Sequence, residues 1–176
     1  YGFVRALDEH FAFDNGERVR FWGVNFSALQ CFPQKEESEK TAKRLAKMGV
    51  NLVRLHHLNV KWSPIRLINT DLSGTLRPDG AAWDKLDYLI HCLKEEGIYV
   101  QLEMLVDPED LWEKPAGLRT WKGLTHVSTS LHKRIKQLIY TLWMHENPYT
   151  GLRYKDDPVF ALSTIVNEND LTTHFV

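Results

Sequence analysis

The alternation of two hydrophobic periods along this chain leaves it few folds to choose from. A run of strand-forming residues, Val19-Arg20-Phe21-Trp22-Gly23-Val24-Asn25-Phe26, gives way to a stretch from Lys35 to Met48. There Thr41, Ala42, Leu45 and Met48 recur at three- and four-residue spacing, the period of one helix face. The same exchange repeats. Asn51-Leu52-Val53-Arg54-Leu55-His56 reads as a strand, and residues Gly80 to Glu96 read as a helix burying Trp83, Leu86, Leu89, Ile90 and Leu93. Ile98 to Met104 is the next predicted strand, and Ser128 to His145 a helix with Leu131, Ile135, Leu138, Ile139 and Leu142 on its stripe. Val159 to Val166 closes the series as a buried strand that ends abruptly in Asn167-Glu168. Strands alternating with helices predict an α/β protein with a parallel sheet and helices packed outside it.

The punctuation agrees. Gly49 and Gly97 stand where the first two helices must stop, and Asp79 is a good N-cap for the second. In the first helix Glu36, Glu37 and Glu39 come early and Lys43, Arg44 and Lys47 come late, which complements the helix dipole. Upstream, Phe11-Ala12-Phe13 followed by Asp14-Asn15-Gly16 is a hairpin signal. Residues 1–18 are therefore expected to form an N-terminal hairpin capping a larger domain, 19–176.

A doubly wound open sheet and a (β/α)8 barrel both fit this order. The long loops, 57–78 and 105–127, follow strands, whereas the turns out of the first two helices are very short. Elaborate βα loops with minimal αβ loops favour the barrel, whose active face is built from the former. No Gly-x-Gly-x-x-Gly or P-loop follows a strand, which removes the commonest nucleotide-binding readings. A whole barrel takes about 250 residues. These four strands make the first four βα units, a half barrel. A half barrel has two open sheet edges, which need a cover or a partner.

With 43% hydrophobic residues and a net charge of −1, the chain has a core to build and no basic footprint for nucleic acid. It has no apolar run of membrane-spanning length, so no membrane partner is expected. Cys31 and Cys92 fall in a predicted loop and a predicted helix, which gives no disulfide pattern. The chain starts at Tyr1 with no visible leader, so the sequence assigns no compartment.

Strand ends in such a sheet converge on one rim. Here they deliver Asn25, Arg54, His56, Glu103, Asn167 and Glu168. With a period of two, Arg54 and His56 share a face, as do Gln101 and Glu103. An arginine in a buried strand needs carboxylates, and Glu103 and Glu168 are the available partners. Asn167 and Glu168 cannot both point inward from a regular strand, so a bulge is expected there. His56, His57, Glu103 and Asp107 are metal-ligating types, yet no His-x-His or His-Glu-x-x-His spacing organises them, and no metal is assigned.

Phe21-Trp22-Gly23-Val24-Asn25, then Gly49-Val50-Asn51-Leu52-Val53-Arg54-Leu55-His56-His57, then a strand closed by Asn167-Glu168, together resemble the N-terminal half of the clan A glycoside hydrolases. The nearest likeness is to the cellulase- and mannanase-like family 5, and it runs over essentially the whole chain. It implies a (β/α)8 barrel and retaining hydrolysis of β-glycosidic bonds in poly- or oligosaccharides, without a cofactor. Carried over by position, Glu168 is the general acid/base, Asn167 the residue that binds the sugar 2-hydroxyl, and Arg54 the arginine that holds the nucleophile. His56, His57, Asn25 and Glu103 would lie at the substrate, with Trp62, Trp112 and Trp121 as exposed faces for sugar rings. Such a reaction needs one carboxyl kept protonated, and burial against apolar strands is expected to raise the pKa of Glu168.

Two departures qualify the likeness. The family's nucleophile ends a seventh strand, which these four strands do not include. Relatives often end the third strand in His, where this chain has Glu103-Met104. The chain alone is thus expected to lack normal turnover, and to need a missing C-terminal half barrel or self-association. Polysaccharide-degrading relatives are generally secreted. The alternatives are a non-catalytic carbohydrate-binding half barrel or fragment, a metal-dependent barrel hydrolase, and a Glu103–Glu168 carboxylate dyad.

Overall fold

The computed structural model describes residues 2–113 and 122–169. Three short strands open the chain: β1 (Val4–Leu7), β2 (His10–Phe13) and β3 (Arg18–Val19), paired antiparallel in that order. The hairpin turns at Gly16, whose φ of +83° suits glycine, and the Gly16 amide donates to the Phe13 carbonyl at 2.9 Å.

The second arm does not run on as one buried strand. It stops at Val19 and resumes as β4 (Gly23–Ser27), because β3 pairs antiparallel with β2 while β4 pairs parallel with the strand that follows it. Asn51 clamps the crossing: its amide donates to the Arg20 carbonyl at 2.8 Å and its carbonyl accepts from the Trp22 amide at 2.7 Å. Trp22 is left facing solvent.

The rest follows the expected alternation. After β4 come α1 (Lys35–Lys47), β5 (Leu52–His56), a small hairpin of β6 (Ile68–Thr70) and β7 (Leu76–Pro78), and α2 (Gly80–Glu95). Next are β8 (Tyr99–Leu105) and α3 (Thr129–Met144). A short pair, β9 (Glu146–Asn147) and β10 (Leu152–Arg153), returns the chain to β11 (Phe160–Val166).

The main sheet has the order β11-β8-β5-β4, parallel throughout. Helices α1 and α2 pack against each other outside it. Asp79 caps α2 by accepting from the Ala81 and Ala82 amides at 3.0 Å each, and Ser128 caps α3. On α1 the buried residues are Ser38, Ala42 and Leu45, whereas Met48 is exposed rather than part of the apolar face. It lies beyond the last helical turn, where Gly49 (φ +76°) has begun to redirect the chain.

β8 is buried almost along its length, but β4 and β11 are not: they are the outer strands, each covered on one edge only. The expectation of a buried last strand therefore fails at Ser163 and Ile165, which face solvent. The N-terminal sheet sits below the opposite ends of the strands. Phe13 and Phe21 pack on Tyr99, the first residue of β8, and the Tyr99 hydroxyl donates to the Gly2 carbonyl at 3.0 Å. Cys31 and Cys92 are buried free thiols.

Outside the sheet, Asp87 on α2 gathers the chain that leaves α3. Its carboxylate accepts from the Tyr154 hydroxyl and from His145 Nε2, each at 2.7 Å, and the Asn147 amide donates to its carbonyl at 3.0 Å.

Candidate active site

Sheet register decides which side chains meet at the C-terminal ends of the parallel strands. Asn25 lies opposite Arg54, Arg54 opposite Gln101, and Glu103 opposite Thr164. Arg54 and His56 rise from one face of β5, and Gln101 and Glu103 from the matching face of β8.

Glu103 is the hub. It is 1% exposed, and its Oε2 contacts both Arg54 Nη2 and His56 Nδ1. Its Oε1 is buried without a hydrogen-bond partner among the described residues. Burial disfavours the charged form and pushes the acid up to about 7, against the pull of Arg54 and Lys122. Burial likewise pushes His56 down to about 4, helped by His57, Arg54 and Lys122. Glu103 thus lies buried beneath Arg54 and His56.

The Arg54 guanidinium reaches across the sheet in both directions. Nη2 donates to Asn167 Oδ1 at 2.8 Å, and Nη1 lies 3.3 Å from Asn25 Oδ1. Strands β4, β5, β8 and the end of β11 are joined through this one cation.

Asn167 extends the ladder past β11, its amide donating to the Leu105 carbonyl at 2.9 Å. The expected bulge is absent here: the register shift of β11 lies at its other end, between Phe160 and Leu162. What breaks the strand is Glu168 itself, in the left-handed region at φ +50°. This turn lets Asn167 face Arg54 while Glu168 leaves the sheet. The Glu168 side chain is 77% exposed, and its Oε2 lies 3.7 Å from Lys122 Nζ. Burial against apolar walls is therefore not its situation; the buried, raised carboxyl of this rim is Glu103.

His57 is also left-handed, at φ +60°, as is Ala28 at +51°, next to Ser27. Three of the four such non-glycine residues among the described residues stand at this rim, the fourth being Asp8. Ser27 Oγ lies 2.6 Å from His57 Nδ1, and the His57 ring centroid lies 3.5 Å from that of His56, tilted by 51°, and 5.5 Å from that of Trp62. Burial, followed by the nearby Arg54, lowers the pKa of His57.

The tryptophans divide. Trp62 is 67% exposed and free to offer its face. Trp112 is not an exposed platform: it is 3% exposed, its indole donates to the Gly74 carbonyl at 3.2 Å, and Arg134 stacks over its ring. It packs the loop after β5 against the loop after β8. Trp121 lies outside the described residues.

Lys122 and Ser27 escaped the sequence reading. Ser27 is two residues past Asn25, so period two alone could have placed it on the same face. Lys122 carries no comparable signal, since a loop residue reaches a rim only through the fold. Among the described residues no three His, Cys, Asp or Glu side chains gather to hold a metal ion. Asp107 instead caps a short turn, accepting from the Glu109 amide at 3.0 Å.

No protein-family model and no curated protein matches the sequence. Solved structures do. The chain superposes on the endo-1,4-β-mannanase of Rhizomucor miehei with a TM-score of 0.74 at 20% identity, covering 95% of this chain and 48% of that one. A family 5 mannosidase from the same organism gives 0.70 at 18% identity, over 96% and 49%. The β-mannanase of the blue mussel Mytilus edulis gives 0.56 at 16% identity, over 96% and 46%. The fold is that of half a (β/α)8 barrel of the kind these enzymes share. The chain spans about half the length of these proteins, so the four parallel strands are four βα units of such a barrel. Its rim, where Arg54, Asn167 and Glu168 stand, lies at the C-terminal strand ends, the active face of barrels of this kind.

Proposed function

We propose that this half barrel belongs to a retaining β-glycosidase acting on β-linked polysaccharide or oligosaccharide of the mannan type. The single observation that carries the reading is the 2.8 Å contact of Arg54 with Asn167, immediately before Glu168. It unites the second and third parts of the sequence motif, 113 positions apart, in one cluster. In this mechanism Glu168 protonates the leaving oxygen and later activates water, Asn167 binds the sugar hydroxyl next to the reacting carbon, and Arg54 orients the carboxylate nucleophile. That nucleophile comes from a complementary half barrel, since among the described residues the rim cluster holds Glu103, buried, and Glu168 as its carboxylates. Trp62 stacks on a sugar ring, and residues 1–18 act as the cap of the catalytic domain. No cofactor is required.

The Lys122–Glu168 contact favours a second reading, binding without turnover, because it ties the exposed Glu168 side chain to a loop cation away from the sheet.

One experiment separates them: reducing-end release from β-1,4-mannan and β-1,4-glucan oligosaccharides by this chain joined to a complementary half barrel that supplies the nucleophile, with calorimetry of binding to the same sugars. Release that falls by about 10²–10⁴-fold in Glu168→Gln supports catalysis by this residue. Release that survives the substitution refutes it, and binding without release in the wild type establishes the second reading.

A further inference from the structure

Arg54 poses a question that the glycosidase reading leaves open. An arginine that serves a nucleophile from another half barrel must be held in place, yet not so firmly that it is lost to that carboxylate. Glu103 meets it inside this chain, and meets His56 through the same oxygen. A carboxylate that shares one oxygen between a guanidinium and an imidazole, with the other oxygen buried and unpartnered, is poorly satisfied as an anion. It is better satisfied as an acid donating to the unprotonated Nδ1 of His56.

We infer that Glu103 is a positioning residue for Arg54, gripping the guanidinium when ionised and loosening it when it takes up a proton held in common with His56. The grip and the release use no movement of the strands. In the ionised form Glu103 Oε2 accepts from Arg54 and from His56. In the protonated form the O–H is directed to His56 Nδ1, and Arg54 keeps its neutral acceptors Asn167 and Asn25. Its positive charge is then uncompensated within β8 and available to a carboxylate arriving from elsewhere.

The charged and titratable groups around Glu103 agree in direction. From β5 come Arg54 and His56, and just beyond it His57. Lys122 approaches from the connection after β8, and Glu168 from the end of β11. Arg54 and Lys122 favour the anion and Glu168 opposes it, while burial outweighs them and sets the exchange at about pH 7. Glu103 therefore changes charge in the range where a rim of this type would work.

The inference rests on the glycosidase reading for the importance of Arg54, but its test reads no turnover, so each can fail alone. The measurement is a pH titration of the Arg54 Nε and His56 ring nitrogen resonances in the ¹⁵N-labelled protein. In the wild type both sets should shift together with one midpoint near 7, and in Glu103→Gln that shared step should be lost while the lower His56 step near 4 remains. If Glu103→Gln does not fold, the wild-type titration decides: no common step for Arg54 and His56 between pH 5 and 9 overturns the proposal. Persistence of the step in a folded Glu103→Gln overturns it as well.

Discussion

Glu103 and His56 both give up their ordinary charges on folding. In the unfolded chain the acid titrates near 4.5 and the imidazole near 6.5, whereas burial and neighbours bring them to about 7 and about 4 in the fold. Between pH 4.5 and 6.5 the folded pair is a neutral acid beside a neutral imidazole, and the unfolded pair is an anion and a cation. Both hold one proton. Stability depends on pH only through a difference in bound protons, so the pair's titration is almost invisible in it. Taken singly, the raised acid loses stability as pH climbs toward 7 and the lowered imidazole loses it as pH falls toward 4, and over the shared window these cancel.

Removing one partner exposes the other. In Glu103→Gln the imidazole term stands alone, present in full above 6.5 and lost as pH falls to about 4. At about 1.4 kcal/mol per pH unit, that loss is about 3 kcal/mol across the window. Urea unfolding of both proteins at several pH values checks it. Parallel profiles from pH 4.5 to 6.5 would contradict the pairing.

The Asp87 hub predicts a stability effect far from the rim. Tyr154→Phe removes a buried donor at 2.7 Å from a carboxylate oxygen and should cost about 2 kcal/mol. Asp87→Ala leaves both Tyr154 and His145 without their acceptor and should cost more, about 3 kcal/mol or above. Thermal unfolding distinguishes these from a neutral surface change.

Trp62 and Trp112 should behave oppositely. Trp62→Ala leaves stability within about 0.5 kcal/mol and weakens sugar binding several-fold. Trp112→Ala opens a cavity between two loops and should destabilise by about 3 kcal/mol. Calorimetric binding to manno-oligosaccharides and denaturant unfolding, run on both variants, give the contrast.

Asp79→Ala removes the acceptor of two helix amides and should cost about 1 kcal/mol, with Asp79→Ser restoring most of it.

That cap was legible in the sequence because everything it needs lies within three residues. The same holds for the glycine stops after α1 and α2, and for the parallel sheet, which follows from the alternation alone. Arg54, His56 and Glu103 share one rim because strand periodicity is local. Burial of one carboxylate and exposure of another is not a local property. Glu103 is buried by the residues of β5 that cross above it, and Glu168 is carried outward by a left-handed turn beside Lys122, 46 positions earlier in the sequence. The strand break after Val19 depends on Asn51, and Trp112 differs from Trp62 only through its partners Gly74 and Arg134. Each of these needs contacts that no window of sequence contains.

Ala28, His57 and Glu168 have a consequence for anyone engineering this protein. In the left-handed region a side chain crowds its own backbone, at roughly 1–2 kcal/mol per residue, and glycine relieves the crowding. A screen for thermostability alone would be drawn to these three positions. Two of them carry the imidazole and the carboxylate that the rim presents. The hardiest descendants of such a screen would be those that had given up the two side chains standing at the strand ends.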